Sequence, residues 1–487
     1  MSTSPVTAPS DLASILRRCT TIARDSIAVI RSDAEYTFGQ LANAAARTSE
    51  QLIPGTRVVI RLDNSAASVV AIHAAWSVGC SVVSAGVLVP DAEVTRRTTV
   101  TSAATTLVPD RGHGLDVDVR HTGSAALAPP NEALVMFTSG TTGTPKAASL
   151  TFAALRGSVA GIAGGSGLGD DGRAPRDPAR GPQLLLVPIA LMGGFLGALT
   201  AWWLGKPLLL AGKFSTELVI YLAARYRLGV LRLTPAMVWE LVQADVDAPL
   251  PGVTSATVGT AALPEATRLA FEEKYGIPML RNYGQTEFAG AIAFERLDDV
   301  TAGIRPDNTV GRIAPGVEVV VLGDNGEPVE NGQIGEITAR ARSAMSGYLD
   351  STGRPANAGS WLRTGDLGVL SDDGFLSVVG RLRDLVVCGG FNIYPAQVES
   401  ALNSLPGVSD SAVVGIADDR LGEIPVAAVI MASDAASTTD EIKRALREHL
   451  AAYEIPRIIR AVEKIPRTDI GKVDRPAVAR LFDAESE

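Results

Sequence analysis

Sulfur and imidazole are the scarcest chemistry in this chain. Three cysteines, Cys19, Cys80 and Cys388, are spread over 487 residues without paired spacing. That argues against a disulfide framework and against a thiolate metal site. Four histidines, His73, His113, His121 and His449, fall outside every motif described below, so no imidazole base is expected. An excess of positive charge is also missing. The formal net charge is −9, which argues against a general binder of nucleic acid or anionic membranes. Charged residues make up only 20% of the chain and apolar ones 46%, a globular balance. Residues 1–14 lack a basic segment followed by an apolar core, so no signal peptide is expected. Residues 181–205 carry no charge and are long enough to span a bilayer on length alone. Pro188, Gly193, Gly194 and Gly197 interrupt that stretch, which reads instead as a short buried strand before a helix. The expectation is a cytoplasmic protein of roughly three compact units.

What the chain does have is a hydroxyl-rich loop. The apolar run Ala133 to Phe137 leads into Thr138-Ser-Gly-Thr-Thr-Gly-Thr-Pro-Lys146. A strand feeding such a loop makes backbone N–H groups and hydroxyls converge on phosphate oxygens. Gly140 and Gly143 allow positive φ and close approach of a ligand. Thr138, Ser139, Thr141 and Thr142 add donors, and Lys146 adds a point charge. The loop is not a Walker A motif, which wants glycine before its lysine and Ser/Thr after it; here Pro145 and Ala147 stand there. Around it, apolar strands such as Val58–Leu62, Leu208–Leu210 and Val230–Leu233 alternate with amphipathic helical patterns such as Ala66–Val78 and Glu217–Tyr226. That rhythm predicts parallel-rich α/β layering. After about residue 311, short strands with Gly/Asp/Asn turns predict a small β-rich subdomain, and from Asp384 onward a compact α+β unit follows. Residues 164–182, dense in Gly, Asp, Arg and Pro, read as an exposed loop.

Further motifs follow the loop in order: Tyr283-Gly-Gln-Thr-Glu287, Trp361-Leu-Arg-Thr-Gly-Asp366, Gly380-Arg-Leu-Arg-Asp384, Gly389-Gly-Phe-Asn-Ile-Tyr-Pro395 and Pro466-Arg-Thr-Asp-Ile-Gly-Lys472. Taken together they resemble the adenylate-forming superfamily, which includes acyl- and aryl-CoA synthetases, the adenylation domains of peptide synthetases and firefly-type luciferases. The likeness runs from Tyr36 to Arg475. It implies an α/β large N-terminal domain, of layered βα subdomains plus a small β-rich subdomain, over residues 1–380. A hinge at residues 381–383, centred on Arg383, would lead to a small mobile α+β C-terminal domain over residues 384–487.

The resemblance also implies roles. The loop Thr138–Lys146 would hold the β- and γ-phosphates of ATP. Glu287 would hold Mg²⁺, and Thr286 would hydrogen-bond the α-phosphate. Tyr283, with Asn282, Gly284 and the backbone of Gly259, Thr260 and Ala261, would take adenine, while Asp366 and Arg381 would take the ribose. Lys472 would enter from the small domain to bridge carboxylate, α-phosphate and ribose. A cation there opposes the anion–anion repulsion between acid and ATP. Rotation at the hinge would then bring Gly389 and Gly390 to line a tunnel for CoA.

Three replacements depart from the family pattern: Leu191 and Phe152 stand where many members have histidine, and Ala147 where glycine is usual. None touches the adenylation set; all bear on the acid or its acceptor. The acyl pocket expected from the resemblance is formed by Leu191, Met192, Gly193, Phe195, Val258 and Phe288, apolar apart from Asn282. No acidic residue lies in Ala190–Gly194 to pair the ammonium of an α-amino acid, so an aryl, alicyclic or medium aliphatic acid is expected. The expected product is acyl-CoA, with AMP and pyrophosphate. Transfer to a free-standing carrier protein or to an amine, activation of an oxyanion such as nitrite, and a silent paralogue that only binds are the alternatives, in a monomer or homodimer.

Overall fold

In the computed structural model, residues 12–110, 114–121, 126–138, 145–165, 181–246, 248–356, 359–432, 438–468 and 472–482 are described. The β-branched runs of the first half form a seven-stranded sheet, ordered from the edge strand Gly347–Tyr348 through Lys146–Thr151, Glu132–Thr138, Ser81–Gly86, Arg57–Leu62 and Thr105–Pro109 to Val117–His121. Its centre is parallel and covered on both faces, so Arg57–Leu62 and Ser81–Gly86 are buried along nearly their whole length. Both edges turn antiparallel. One ionic knot sits in this interior: both oxygens of Glu132 accept from Arg57, at 2.7 and 2.9 Å, and Ser149 Oγ donates to the same carboxylate at 2.6 Å.

A second layer joins Glu35–Thr37, Ile27–Ile30, Leu208–Leu210 and Gln183–Leu185, and a third joins Gly229–Leu233, Val253–Val258, Met279–Gln285, Gly290–Phe294 and Arg312–Ile313. The helix Met192–Trp203 is apolar all round and lies buried between layers. Among the described residues no helix is long and apolar enough to cross a membrane. The uncharged stretch is the strand Gln183–Leu185 followed by that helix, as the interrupting Gly and Pro imply.

After residue 311 the parallel pattern ends in an antiparallel sheet, Val317–Leu322, Gly335–Ala341, Leu362–Leu370 and Leu376–Arg381. From Val386 a separate mixed sheet begins, built on the long hairpin Val408–Asp418 and Gly422–Met431, with the helices Pro395–Asn403 and Thr439–Leu446 on it. The α/β core, β-rich subdomain and α+β unit are therefore as the sequence predicts.

His73, on the buried helix Ala66–Ser77, stacks on Trp202 with ring centroids 4.9 Å apart, and its Nδ1 has no partner. Burial pulls its pKa from 6.5 down to about 3. The folded state thus keeps a neutral imidazole that the unfolded chain protonates below pH 6.5. Stability is intact above that pH and is lost as pH falls toward 3, by up to about 4 kcal/mol. His73→Phe keeps a ring against Trp202 and binds no proton. Its melting temperature should therefore fall less than wild type's between pH 7 and pH 5. Parallel curves for the two proteins would show that His73 titrates normally.

Candidate active site

The chemistry-bearing motifs converge where the third sheet, the β-rich subdomain and the α+β unit meet. Asp366 is the hub. It lies in the strand Leu362–Leu370 and is only 3% exposed, so it is not the turn residue that its Gly-Asp context could suggest. Its Oδ2 accepts from Tyr283 Oη at 2.8 Å and from Gln285 Nε2 at 2.7 Å, while Arg381 Nε stands 3.0 Å from Oδ1. Register explains the meeting: Asp366 and Arg381 are cross-strand partners, and Tyr283 and Gln285 lie two apart on one face of Met279–Gln285. Burial first, and then the charge of Asp366, hold the Tyr283 hydroxyl well above its ordinary pKa, so it remains a donor.

The two ends of the phosphate-type loop are fixed against each other, because Thr138 and Lys146 are cross-strand partners in an antiparallel pair. Ser139, Gly140, Thr141, Thr142 and Gly143 lie outside the described residues. Lys146 is the first residue of the returning strand and places its Nζ 5.4 Å from the ring centre of Tyr348. The Tyr348 hydroxyl donates to Glu287 Oε1 at 2.5 Å. Burial, with the Glu287 charge adding to it, pushes the Tyr348 hydroxyl well above its ordinary pKa, so this donor also stays protonated. Glu287 and Thr286 occupy a single 3-10 turn after the Tyr283 strand, anchored by the Met345 N–H donating to the Glu287 carbonyl at 2.7 Å. Glu287 offers hard carboxylate oxygen beside the loop's lysine. No group of three or more His, Cys, Asp or Glu gathers among the described residues. This donor set suits Mg²⁺ held by one carboxylate, with substrate phosphates and water completing its shell.

At the residues expected to take adenine, Gly259 leaves no room for a side chain: a Cβ would sit 2.4 Å from Asn282 Oδ1. Asn282 Nδ2 in turn donates to the Val258 carbonyl at 2.8 Å. Thr260 has φ 73°, a left-handed conformation that costs a β-branched residue on the order of 1–3 kcal/mol. The strand end is thus held open and strained beside Tyr283, with Ala261 exposed next to it.

Lys472 comes from the α+β unit. The Thr468 N–H donates to its carbonyl at 2.7 Å, and an Arg467–Val473 bridge closes the turn. Asp474 caps the following helix, Arg475–Arg480, by accepting from the Ala477 N–H. Arg475 ties that turn to Asp384 and Glu399, at 2.9 and 2.8 Å. The Lys472 side chain is half-buried among Asp366, Arg381, Arg383 and Glu287. Burial pushes its pKa down, Arg381 and Arg383 add to that, and Asp366 and Glu287 oppose it. Arg383 itself lies 3.4 Å from Asp384 in the short 3-10 turn Leu382–Asp384. Gly389 and Gly390 both take positive φ and form the two-residue turn between Val386–Cys388 and Phe391–Ile393, which demands that conformation.

The residues expected at the acid pocket are divided. Phe195 is buried in the large first core, 5.9 Å from Trp76. Val258 belongs to the core under the third sheet, and Phe288 packs with Ile292, Ala339 and Leu362 of the β-rich subdomain. These three do not share one apolar box. Leu191 precedes the helix Met192–Trp203, Met192 is buried at its start, and Gly193 is exposed. Phe152 packs edge-on against Trp76, and Ala147 is buried in its strand. Gln285, Tyr348 and Arg232 were missed by sequence reading. Gln285 sits in the variable place of its motif, and Tyr348 lies in a two-residue strand. Arg232 alone had a signal, a single charge inside the apolar run 230–233.

Fold and site together define a two-domain enzyme of the adenylate-forming class. Residues 16–349 match the AMP-binding enzyme family and residues 397–472 its C-terminal domain, and the chain belongs to that family. It is 33% identical to a sulfoacetate–CoA ligase of Cupriavidus necator over 75% of this chain and 71% of that one. A 2-succinylbenzoate–CoA ligase of Bacillus licheniformis is 27% identical over 94% of this chain and 98% of that one. Among solved structures, an amide bond synthetase from Marinactinospora thermotolerans superposes with a TM-score of 0.83 at 26% identity, covering 97% of this chain and all (100%) of that one.

Proposed function

We propose that the protein joins a carboxylic acid to CoA through an acyl-adenylate. In the first step a carboxylate oxygen attacks the α-phosphorus of ATP, the bond to the β-phosphate oxygen breaks, and pyrophosphate leaves with the electron pair. In the second, the CoA sulfur attacks the acyl carbon and AMP departs. The observation that carries the reading is the half-buried Lys472, from the small unit, within electrostatic reach of Asp366, Arg381 and Glu287 of the core, where Asp366 is bound by Tyr283, Gln285 and Arg381. This is the arrangement the first step needs: a cation between two anions, beside a carboxylate pair for ribose and metal. Mg²⁺ held by Glu287 would offset phosphate charge. Lys146 and the loop it closes would receive the leaving pyrophosphate, while Tyr283 and the open strand end at Gly259–Ala261 take adenine. Arg383, at the junction of the two units, is the hinge residue in this reading. Turning the small unit about it would exchange Lys472 for the Gly389–Gly390 turn and admit the thiol.

An aryl, alicyclic or medium aliphatic acid fits better than an α-amino acid, because the segment Ala190–Gly194 holds no carboxylate to pair an ammonium. A second reading, transfer to an amine, draws on Leu191 in place of histidine and on the likeness to an amide bond synthetase. The test is mass spectrometry of products from purified protein with Mg²⁺, ATP, CoA and a panel of acids. A thioester with AMP is the expected result. An adenylate that accumulates with CoA present and is discharged by an added amine would overturn CoA as acceptor. Absence of ATP turnover with every acid would overturn the ligase reading.

A further inference from the structure

The face of the third sheet that meets the helix Met192–Trp203 carries a charge that no described residue answers. In the parallel register Arg232 pairs with Thr257, and Thr257 with Leu280. Side chains alternate along strands, so Arg232, Thr257, Gly259, Leu280 and Asn282 share one face. Leu231, Leu233, Ala256 and Val258 point to the other face, into the core packed by helices. The helix Met192–Trp203 covers the Arg232 side: a Cβ on Gly197 would lie 3.2 Å from Leu185 Cδ1 and 3.8 Å from Arg232 Cδ. The small residue there makes room for the arginine stem.

Arg232 Nε is sealed from solvent and has no hydrogen-bond partner, and its guanidinium joins no ion pair or hydrogen bond among the described residues. The contrast with neighbouring arginines is sharp. Arg268, Arg281 and Arg305 all share the carboxylates of Glu265, Glu272 and Glu295. Burial lowers the Arg232 pKa with no neighbouring charge to raise it. Arg232 is half-buried, with an Nε that has lost water and gained no acceptor, so its unengaged donors are open to an incoming anion. Arg232 lies two residues before the register of Gly259, about 7 Å deeper along the strands. On the ligase reading, an acid lying along this face with its carboxylate toward the strand end would turn its far end to Arg232.

We infer that Arg232 is a specificity residue for an acid bearing a second anionic group, a distal carboxylate or sulfonate that its guanidinium receives at the floor of the pocket. This rests on the ligase reading above and narrows it. The apolar body expected of the acid remains, and its remote end is charged. Arginine suits the task because its planar fork matches a carboxylate or sulfonate with paired donors.

The test is acid-dependent exchange of labelled pyrophosphate into ATP with matched pairs: butanoate against succinate, hexanoate against adipate, and propanoate against 3-sulfopropanoate. Wild-type protein should prefer the dianionic member of at least one pair. Arg232→Met should lower the ratio of kcat/KM for dianion over monoanion by roughly 100-fold. Without substrate, Arg232→Met should melt no lower than wild type, because a donor sealed from water without an acceptor has been replaced by a thioether of similar reach. The preferred dianion should raise the melting temperature of wild type only. A wild-type preference for monoanions in every pair, or an unchanged ratio in Arg232→Met, would overturn the inference and leave the ligase reading standing. Exchange with no acid at all would overturn both.

Discussion

Replacing Lys472 with alanine should reduce adenylate formation by about 1,000-fold, while thioester formation from supplied acyl-adenylate survives. The expectation follows from where the ammonium sits. It is half-buried, within electrostatic reach of Asp366, Glu287, Arg381 and Arg383. A cation that acts only in the first step should leave the second intact, because in the proposed mechanism the small unit has by then turned and taken Lys472 away. Pyrophosphate exchange reads the first half-reaction, and thioester yield from synthetic adenylate reads the second. Equal losses in both would sink the two-arrangement mechanism. The sign of the pKa shift adds a further check. Only the charged amine works, and its pKa is lowered, so wild-type exchange should decline at a pH below that of an ordinary lysine. Lys472→Arg, if active, should lose that basic limb, since guanidinium keeps its proton throughout.

How much of this could be read from the chain depended on whether the chemistry is contiguous. A phosphate loop needs its hydroxyls, glycines and lysine in one run, and a metal carboxylate next to a hydroxyl needs two adjacent residues; such runs announce themselves. The α/β rhythm was equally legible, because strands buried on both faces must be apolar throughout. Edges were less so. The sequence of residues 440–451 has a helical pattern throughout, yet the helix ends at Leu446, where the Arg447, Glu448 and His449 N–H groups bond three residues back and Glu454 accepts from the Ala451 N–H. The apolar run at residues 411–416 reads as a short strand, yet the strand runs from Val408 to Asp418 because its hairpin partner is long. Partner length is a property of the pair, not of either segment. Phe195 and Phe288 show the same limit from another side: an apolar ring says that it is buried, not in which of several cores. Tyr348 and Gln285 gain their meaning only when register brings residues 61 and 81 positions away into bonding distance.

Asp366→Asn is the substitution expected to hit nucleotide binding hardest. The carboxylate now accepts three donors, from Tyr283, Gln285 and Arg381, in a place almost closed to water. Asparagine keeps the shape but offers one acceptor oxygen, and its amide must point N–H groups at donors on one side or the other. If it faces Arg381, a guanidinium loses its counter-charge; if it faces Tyr283 and Gln285, two buried donors lose their acceptor. Either way about 2–4 kcal/mol of local order is lost, and the two-oxygen acceptor proposed for the ribose goes with it. We expect KM for ATP to rise by roughly 100-fold with KM for the acid nearly unchanged, and AMP binding measured by calorimetry to weaken in parallel. A residue that serves only to hold strands together would instead lower the melting temperature and kcat without separating the two KM values. Arg381→Lys tells the same story from the opposite partner. It keeps the charge facing Asp366 but loses the fork, so it should cost ATP affinity less than Asp366→Asn does. The reverse order would place the nucleotide contact on the arginine and leave Asp366 as its positioning partner.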